Sequence, residues 1–363
     1  MNSTFAVSRR GFLKSLSIGG VAAYSAAQSA VRAATAEAPA GTSPTAALPA
    51  SRVALTTGED HPDIVFRGLK SFSREISAAI GTRRVVIKPN NVAVDIPLSA
   101  THADCIEGIL EFLKSVGKLD QAVIAESAAN GPTFEGFANY GYDKLARKYG
   151  VKMVDLDKEP TGTVHVWDEK DFRPHAVRVA RMLLDRDAFI ISAAKFKTHD
   201  RIVATLSLKN IVVGAPVKDE GFRWGKRCKP GATNQKPIIH GHGFYGVNYN
   251  LFALARQLRP DLAVIDGFQG MEGNGPCQGT PVEQRVCVVS PDWLAADRVA
   301  LELMGIELAK VGYLQYCAEA GMGQADLGRI EILGEPVARH VRKYKLHDRI
   351  DQQLRWQAPP RWS

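Results

Sequence analysis

The stretch Ile191–Gly214, ISAAKFKTHDRIVATLSLKNIVVG, decides the fold. The apolar run Asp187–Ala194 reads as a buried strand that delivers Lys195, Lys197 and His199 in quick succession. On extended backbone side chains alternate, so these three share one face while Ala194, Phe196 and Thr198 take the other. The residues that follow read as a helix, on which Thr205 and Lys209 stack four apart with Asn210 beside them. Three lysines and a histidine around a strand-to-helix switch make a cationic, titratable cluster suited to an anionic ligand or cofactor. The alternative is a solvated, lysine-rich loop; the apolar runs on both sides place these charges close to core, where lysines are rare.

Working outward, strand and helix alternate. Asp63–Ile80 has helical spacing, and Arg83–Ile87 is a β-rich run ending in Lys88-Pro89-Asn90-Asn91. Asp104–Val116 reads as a helix, Gln121–Ala125 as a strand ending at Glu126, Tyr142–Tyr149 as a helix and Val151–Leu156 as a strand. Val164–Trp167 and Ala176–Ala180 read as an inserted β-pair. Beyond the central stretch, Val217–Gly246 is a long polar segment of the kind that is functional or mobile. Asn248–Leu258 returns to helix, Leu262–Ile265 to strand, and Gly267–Pro281 reads as a glycine-rich loop. Strand Arg285–Val289, helices Asp292–Met304 and Leu308–Ala320, and strand Ile330–Leu333 complete the order. This pattern predicts an α/β fold, a mostly parallel sheet flanked by helices, as one large domain or two lobes. In such sheets the ligand lies beyond the carboxyl ends of the strands, where Lys88, Asn90, Glu126, Lys195–His199 and Asp266 would converge.

The N-terminus carries an address. Ser8-Arg9-Arg10-Gly11-Phe12-Leu13-Lys14, the mildly apolar Ser15–Val31 and small residues at Ala34-Thr35-Ala36 form a twin-arginine export signal over residues 1–36. The polar residues in that run argue against a stable membrane span. The expectation is a periplasmic protein that meets the twin-arginine translocase as a folded chain. Residues 37–55 read as a flexible leader, 56–338 as the α/β domain, and 339–363 as a basic, solvated C-terminal tail. Four cations and no acids lie in residues 1–36, so the formal +8 becomes +4 in the mature chain. So small a charge on this length does not point to nucleic acid. The five cysteines contain no C-x-x-C, which excludes ferredoxin and zinc-ribbon patterns. Cys105, Cys287 and Cys317 sit in apolar patterns; Cys228 and Cys277 lie in polar loops.

The candidate chemistry is distributed along the chain. Lys88 and Asn90 follow a strand and could neutralise and orient a carboxylate or phosphate. His199 is a candidate acid/base, since imidazole titrates near neutrality. Lys197, Lys209 and Asn210 are candidate anion or cofactor contacts, Lys209 also a covalent anchor if desolvated. His240 and His242 fall on one side of an extended backbone and are candidate metal ligands. Asp266 and Glu272 are candidate base or ligand carboxylates, and Gly273 and Gly275 let backbone amides approach an anion. G-x-S-x-G and H-E-x-x-H motifs are absent.

Lys88-Pro89-Asn90, Lys197-Thr198-His199, Thr205, Lys209-Asn210 and Asp266 with Gly270-Met271-Glu272-Gly273-Asn274-Gly275-Pro276 resemble the domain-of-unknown-function family 362. Many members of that family carry ferredoxin-like cysteine clusters; this chain has none, so no iron–sulfur cluster is expected. A more distant likeness is to nickel-dependent lactate racemases, in which a catalytic His precedes a cofactor-anchoring Lys by ten residues, as His199 precedes Lys209 here. That group has Gly-Ser-Gly-Gly-Arg before its lysine, where Leu206-Ser207-Leu208 stands in this chain. The likeness implies isomerase or racemase chemistry with nickel or another transition metal, and His240 or His242 as its ligand. The rival expectation is a non-catalytic periplasmic protein that captures an anion or a metal.

Overall fold

The computed structural model describes residues 50–223 and 229–358. The export signal, most of the leader, Cys228 and the last five residues lie outside the described residues.

Apolar alternation builds the centre. Strands β1 (Ser51–Thr57), β2 (Arg84–Pro89), β3 (Ala122–Glu126) and β4 (Lys152–Asp155) precede an antiparallel pair, β5 (Thr161–Trp167) and β6 (Pro174–Ala180). Then come β7 (Ala188–His199), β8 (Val203–Thr205), β9 (Leu262–Asn274), β10 (Gln278–Ser290) and β11 (Ile330–Gly334). The principal sheet runs β11-β1-β10-β9-β7-β2-β3-β4, with β8 paired to β7. From β9 to β4 every neighbour is parallel. On β2, Val85 and Ile87 face one apolar core and Val86 the other. On β9, Leu262 and Val264 divide from Ala263 and Ile265 in the same way. The expected α/β sheet flanked by helices is therefore present.

Helices α1 (His61–Lys70), α2 (Ser73–Ile80), α3 (Ala103–Ser115), α4 (Thr133–Asn139) and α5 (Tyr142–Tyr149) share one core. Helices α6 (Ser207–Val212), α7 (Phe244–Leu254), α8 (Trp293–Leu303) and α9 (Gly312–Glu319) share the other. None of the described helices is long and apolar enough to cross a membrane. The single helix expected over Asp63–Ile80 is two, because the chain breaks at Ser71 and turns Phe72 inward, 2 % exposed.

Three other expectations change. Gly267–Pro281 is not a loop: it forms the outer halves of β9 and β10, paired from Gln269↔Glu283 to Asn274↔Gln278. Its glycines suit close packing, since a Cβ on Gly270 would stand 2.1 Å from the Tyr344 hydroxyl. Within the stretch read as a leader, Ser51–Thr57 is a strand, held between β10 and β11. The segment after Arg339 packs back on the domain rather than standing in solvent. Tyr344, His347, Gln353 and Trp356 are buried, Gln353 Oε1 accepts from Val203 N at 2.7 Å, and α10 (Ile350–Gln353) lies there.

Chain order along the sheet reverses between β2 and β7, so their carboxyl ends flank the crevice where open α/β sheets bind ligands. Helix α6 begins just beyond. Its N-cap, Leu206, has no capping side chain; instead Asp297 of α8 accepts from Ser207 N (2.8 Å) and Leu208 N (3.1 Å). Removing that carboxylate strands two buried N–H groups, so Asp297→Ala should cost about 2–4 kcal/mol. Urea unfolding of the parent and the variant reads the difference, and a loss below about 1 kcal/mol would deny Asp297 this capping role.

A cationic cleft at the carboxyl ends of β2 and β7

A cavity of about 620 Å³ opens at this crevice, its walls including Lys88, Glu126, His199, Lys209, Lys236 and His240. Its floor is a buried polar network. Lys88 Nζ donates to both oxygens of Glu126 (2.8 and 2.9 Å), to Pro89 O (3.0 Å) and to Asn210 Oδ1 (3.2 Å). Burial lowers the Lys88 pKa and Glu126 opposes the shift. Asn210 Nδ2 donates to Lys88 O and Ser192 Oγ, while its Oδ1 also accepts from Asn90 Nδ2 at 3.3 Å. A Cβ on Gly214 would lie 2.1 Å from Lys88 Cε, so only glycine lets the lysine stem pass there.

Lys197 is fully buried and donates to Asn90 Oδ1 (2.6 Å) and Ser99 O (2.7 Å). Both acceptors are neutral, and burial pulls the Lys197 pKa well down, with Lys209 adding to it. Lys88, Asn90, Lys197 and Asn210 are thus drawn together as expected, yet each is already satisfied by the protein. Lys197 stands behind the cavity wall.

Lys209 differs. It is 5 % exposed on the cavity wall, and its Nζ makes no hydrogen bond or ion pair among the described residues. Burial, opposed in part by Asp200, brings its pKa to about 8. His199 lies beside it, buried, with Nδ1 accepting from Arg201 N at 3.1 Å. Burial and then Lys209 press its pKa well below the usual range, so the ring is neutral with its proton on Nε2. His240 also lines the cavity, and burial followed by Lys209 and Arg201 takes its pKa to about 3.

The remaining expected residues separate. His242 leaves the cleft: its side chain is 67 % exposed and its Nδ1 pairs with Asp168 Oδ2. The cause is local, since Gly241 (φ 54°) and His242 (φ 51°) are left-handed and no extended backbone aligns the two rings. Asp266 is fully buried outside the cavity, 3.0 Å from His61 Nε2 and 3.7 Å from Lys195 Nζ. Burial pushes its carboxyl up, but Lys195 and His61 outweigh it and hold the pKa well below the carboxylate range. Glu272 accepts from Lys345 N at 2.8 Å and Gly273 N donates to Lys345 O at 2.7 Å, on the arm formed by β9 and β10. Of that glycine-rich arm, Gly275 and Cys277 line the cavity, with the Cys277 thiol free.

Residues not singled out from sequence complete the wall. Lys236 donates to Pro216 O (2.6 Å) and Gly214 O (3.0 Å), satisfying carbonyls just past α6. Burial lowers its pKa to about 7. His347 and Arg349, read as tail, also line the cavity, and Arg349 Nη2 is 3.9 Å from Asp200 Oδ2. The apolar periodicity of the last residues is too short to have revealed this return.

A protein-held transition metal does not fit the cleft. His240 and His242 diverge, and among the described residues the grouping of three His, Cys, Asp or Glu ligand atoms lies elsewhere.

The family described as "Domain of unknown function (DUF362)" matches residues 85–302, more than half of the chain. The protein belongs to it. Outside that assignment the likenesses are remote. A thylakoid-associated protein of Synechocystis sp. is 24 % identical over 230 residues, 63 % of this chain and 65 % of that protein. The lactate racemase apoprotein of Thermoanaerobacterium thermosaccharolyticum superposes with a TM-score of 0.40 at 10 % identity, covering 67 % of this chain and 54 % of that one. A Thermotoga maritima protein gives a TM-score of 0.36 at 12 % identity, covering 73 % and 59 %. The chain spans less than two thirds of the length of each of these three proteins.

The buried Lys88–Glu126 pair predicts a sharp asymmetry. Lys88→Ala leaves a buried carboxylate unpaired and should cost about 3–5 kcal/mol. The double variant Lys88→Met with Glu126→Gln should recover most of that loss. Denaturant unfolding reads both; equal loss in the two proteins would mean the pair contributes only packing.

Proposed function

We propose that the cleft binds a small organic carboxylate and moves a proton on it, as an isomerase or racemase would. The observation that supports this most is Lys209: a buried amine on the cavity wall, without a partner for its Nζ among the described residues, sharing that wall with two neutral imidazoles. A buried cation left unpaired is costly, and an anionic ligand is the partner that would relieve it. Lys88, Lys197 and Lys236 are committed to the fold, so the anion contact falls to Lys209, with Arg201 nearby on the wall.

The imidazoles take different roles in this reading. His199 has Nδ1 occupied by Arg201 N and would donate Nε2–H to a ligand oxygen. The His240 ring makes no hydrogen bond to protein among the described residues and would be the proton acceptor. Its low basicity follows from burial and then from Lys209 and Arg201. A carboxylate bound beside Lys209 offsets that positive field and raises the imidazole toward a useful range.

The test has two readouts. Labelling of Lys209 by an amine-reactive reagent, followed by peptide mass spectrometry, should rise with pH through a midpoint near 8, against 10.5 for an ordinary lysine. The sign follows from the free amine being the reactive form. Small carboxylates that raise the melting temperature should move this midpoint upward and protect the residue. With such a ligand, solvent deuterium should exchange into the carbon next to the carboxylate. His240→Ala should abolish exchange, and His199→Ala should weaken binding at least tenfold. Binding without exchange in the parent would favour a capture protein; a midpoint above 10 would remove Lys209 from the proposal.

We also infer export through the twin-arginine route, from Ser8–Lys14 and in keeping with a relative named as thylakoid-associated. Arg9→Lys with Arg10→Lys should retain the protein in the cytoplasm; fractionation showing unchanged export would refute the signal.

A further inference from the structure

Asp266 is shared between two neighbourhoods. One oxygen stands 3.7 Å from Lys195 Nζ, and the other stands 3.0 Å from Nε2 of His61, the first residue of α1. The same carboxylate accepts from His102 N at 3.4 Å, at the N-cap of α3. His61 is 5 % exposed, its ring stacked on Phe268 with centroids 4.3 Å apart and planes 8° from parallel. Its Nε2 contact with Asp266 is short, though not aligned as a straight hydrogen bond. Stack and carboxylate together fix the ring, and they leave Nδ1 facing Asp104 Oδ2 at 3.8 Å with no hydrogen bond to protein among the described residues.

His102 closes the group. Its Nδ1 is 3.3 Å from Asp104 Oδ2, and one ligand atom from each of His61, His102 and Asp104 lies within 4.8 Å of the others. Ligand atoms around a tetrahedral zinc ion, bonded at about 2.0–2.1 Å, stand roughly 3.4 Å from one another. The present spacing exceeds that value by no more than about 1.4 Å. A carboxylate behind a metal-ligating imidazole is the usual orienting partner of such sites, and His61–Asp266 supplies it. None of these residues lines the cationic cleft.

We propose that His61, His102 and Asp104 bind a divalent transition-metal ion of the zinc class, with solvent in the fourth position. Two imidazoles and one carboxylate select such an ion over magnesium or calcium. Bound there, it ties the N-termini of α1 and α3 to the middle of β9. Two costs moderate the affinity. Helix N-termini disfavour a cation, although Asp60, Asp63, Asp104 and Asp266 bring negative charge to this corner. The N-cap hydrogen bond from Asp104 N to His102 Nδ1, 3.2 Å, also competes for the ligating lone pair.

The experiment uses the full chain stripped with a chelator, titrated with zinc chloride by calorimetry and with cobalt chloride by visible absorption. One ion per chain is expected, with the cobalt bands of four-coordinate geometry and a raised melting temperature. His102→Ser keeps an N-cap acceptor and removes the imidazole; Asp104→Asn keeps the shape and removes the charge. Both lie at partly exposed positions, should keep the parent's circular dichroism, and should weaken binding at least tenfold. His240→Ala should bind as the parent does. Absence of stoichiometric binding in the parent, undiminished binding in both variants, or loss in His240→Ala alone would overturn the assignment.

Discussion

The cleft depends on the ion pair between Lys88 and Glu126, at the carboxyl ends of adjacent parallel strands and each about 1 % exposed. Burying two charges is expensive, and their attraction compensates only when the remaining hydrogen-bonding capacity is filled. Here it is filled from three directions. Asn210 reaches in from α6, Pro89 offers its carbonyl, and Ser127 N donates to Glu126 Oε1 at 2.8 Å. This requirement fixes α6 against β2, and Gly214 beyond it must lack a side chain for Lys88 to fit. Lys209, one residue before Asn210, owes its position on the cavity wall to the same constraint.

The lysines of this region show how one residue type can serve opposite ends. Lys88 is neutralised by a carboxylate, while Lys197 and Lys236 are satisfied by amide and carbonyl oxygens. Lys209 alone among these four has no such partner among the described residues. Its charge adds to burial, the larger effect, in holding both His199 and His240 in the neutral form. In the proposed reading, this places a cation for an anion beside imidazoles whose character would change once the anion arrives. Asp200 at the wall, 3.9 Å from Arg349, acts on Lys209 in the opposite sense and offsets part of the burial effect there.

The strands and helices flanking Ile191–Gly214 were legible because period-2 and period-3.6 apolar patterns are local properties. Parallel strands deliver their carboxyl ends to one edge. Of the residues expected to converge there, Lys88, Asn90, Glu126 and His199 line the cavity with Lys197 behind its wall, whereas Lys195 and Asp266 lie against each other outside it. The glycine-rich arm misled because glycine density marks turns and close packing alike, and only Tyr344, some seventy residues on, distinguishes them. The His240/His242 pair misled for a different reason. Alternation holds on extended backbone, and two left-handed residues there turn one ring into the cavity wall and the other into solvent.

By itself the sequence determined the α/β class, most of the core strands, and the set of polar residues at their ends, since each depends on neighbours a few residues away. Tertiary structure decided which of those residues are consumed by the fold and which face a ligand. Whether a lysine is paired depends on partners such as Glu126 for Lys88, 38 positions away, or Asn90 for Lys197, 107 away. The grouping of His61, His102 and Asp104 likewise exists only because the starts of two helices meet at the middle of β9. No local pattern encodes such a meeting; packing on both faces of the sheet does.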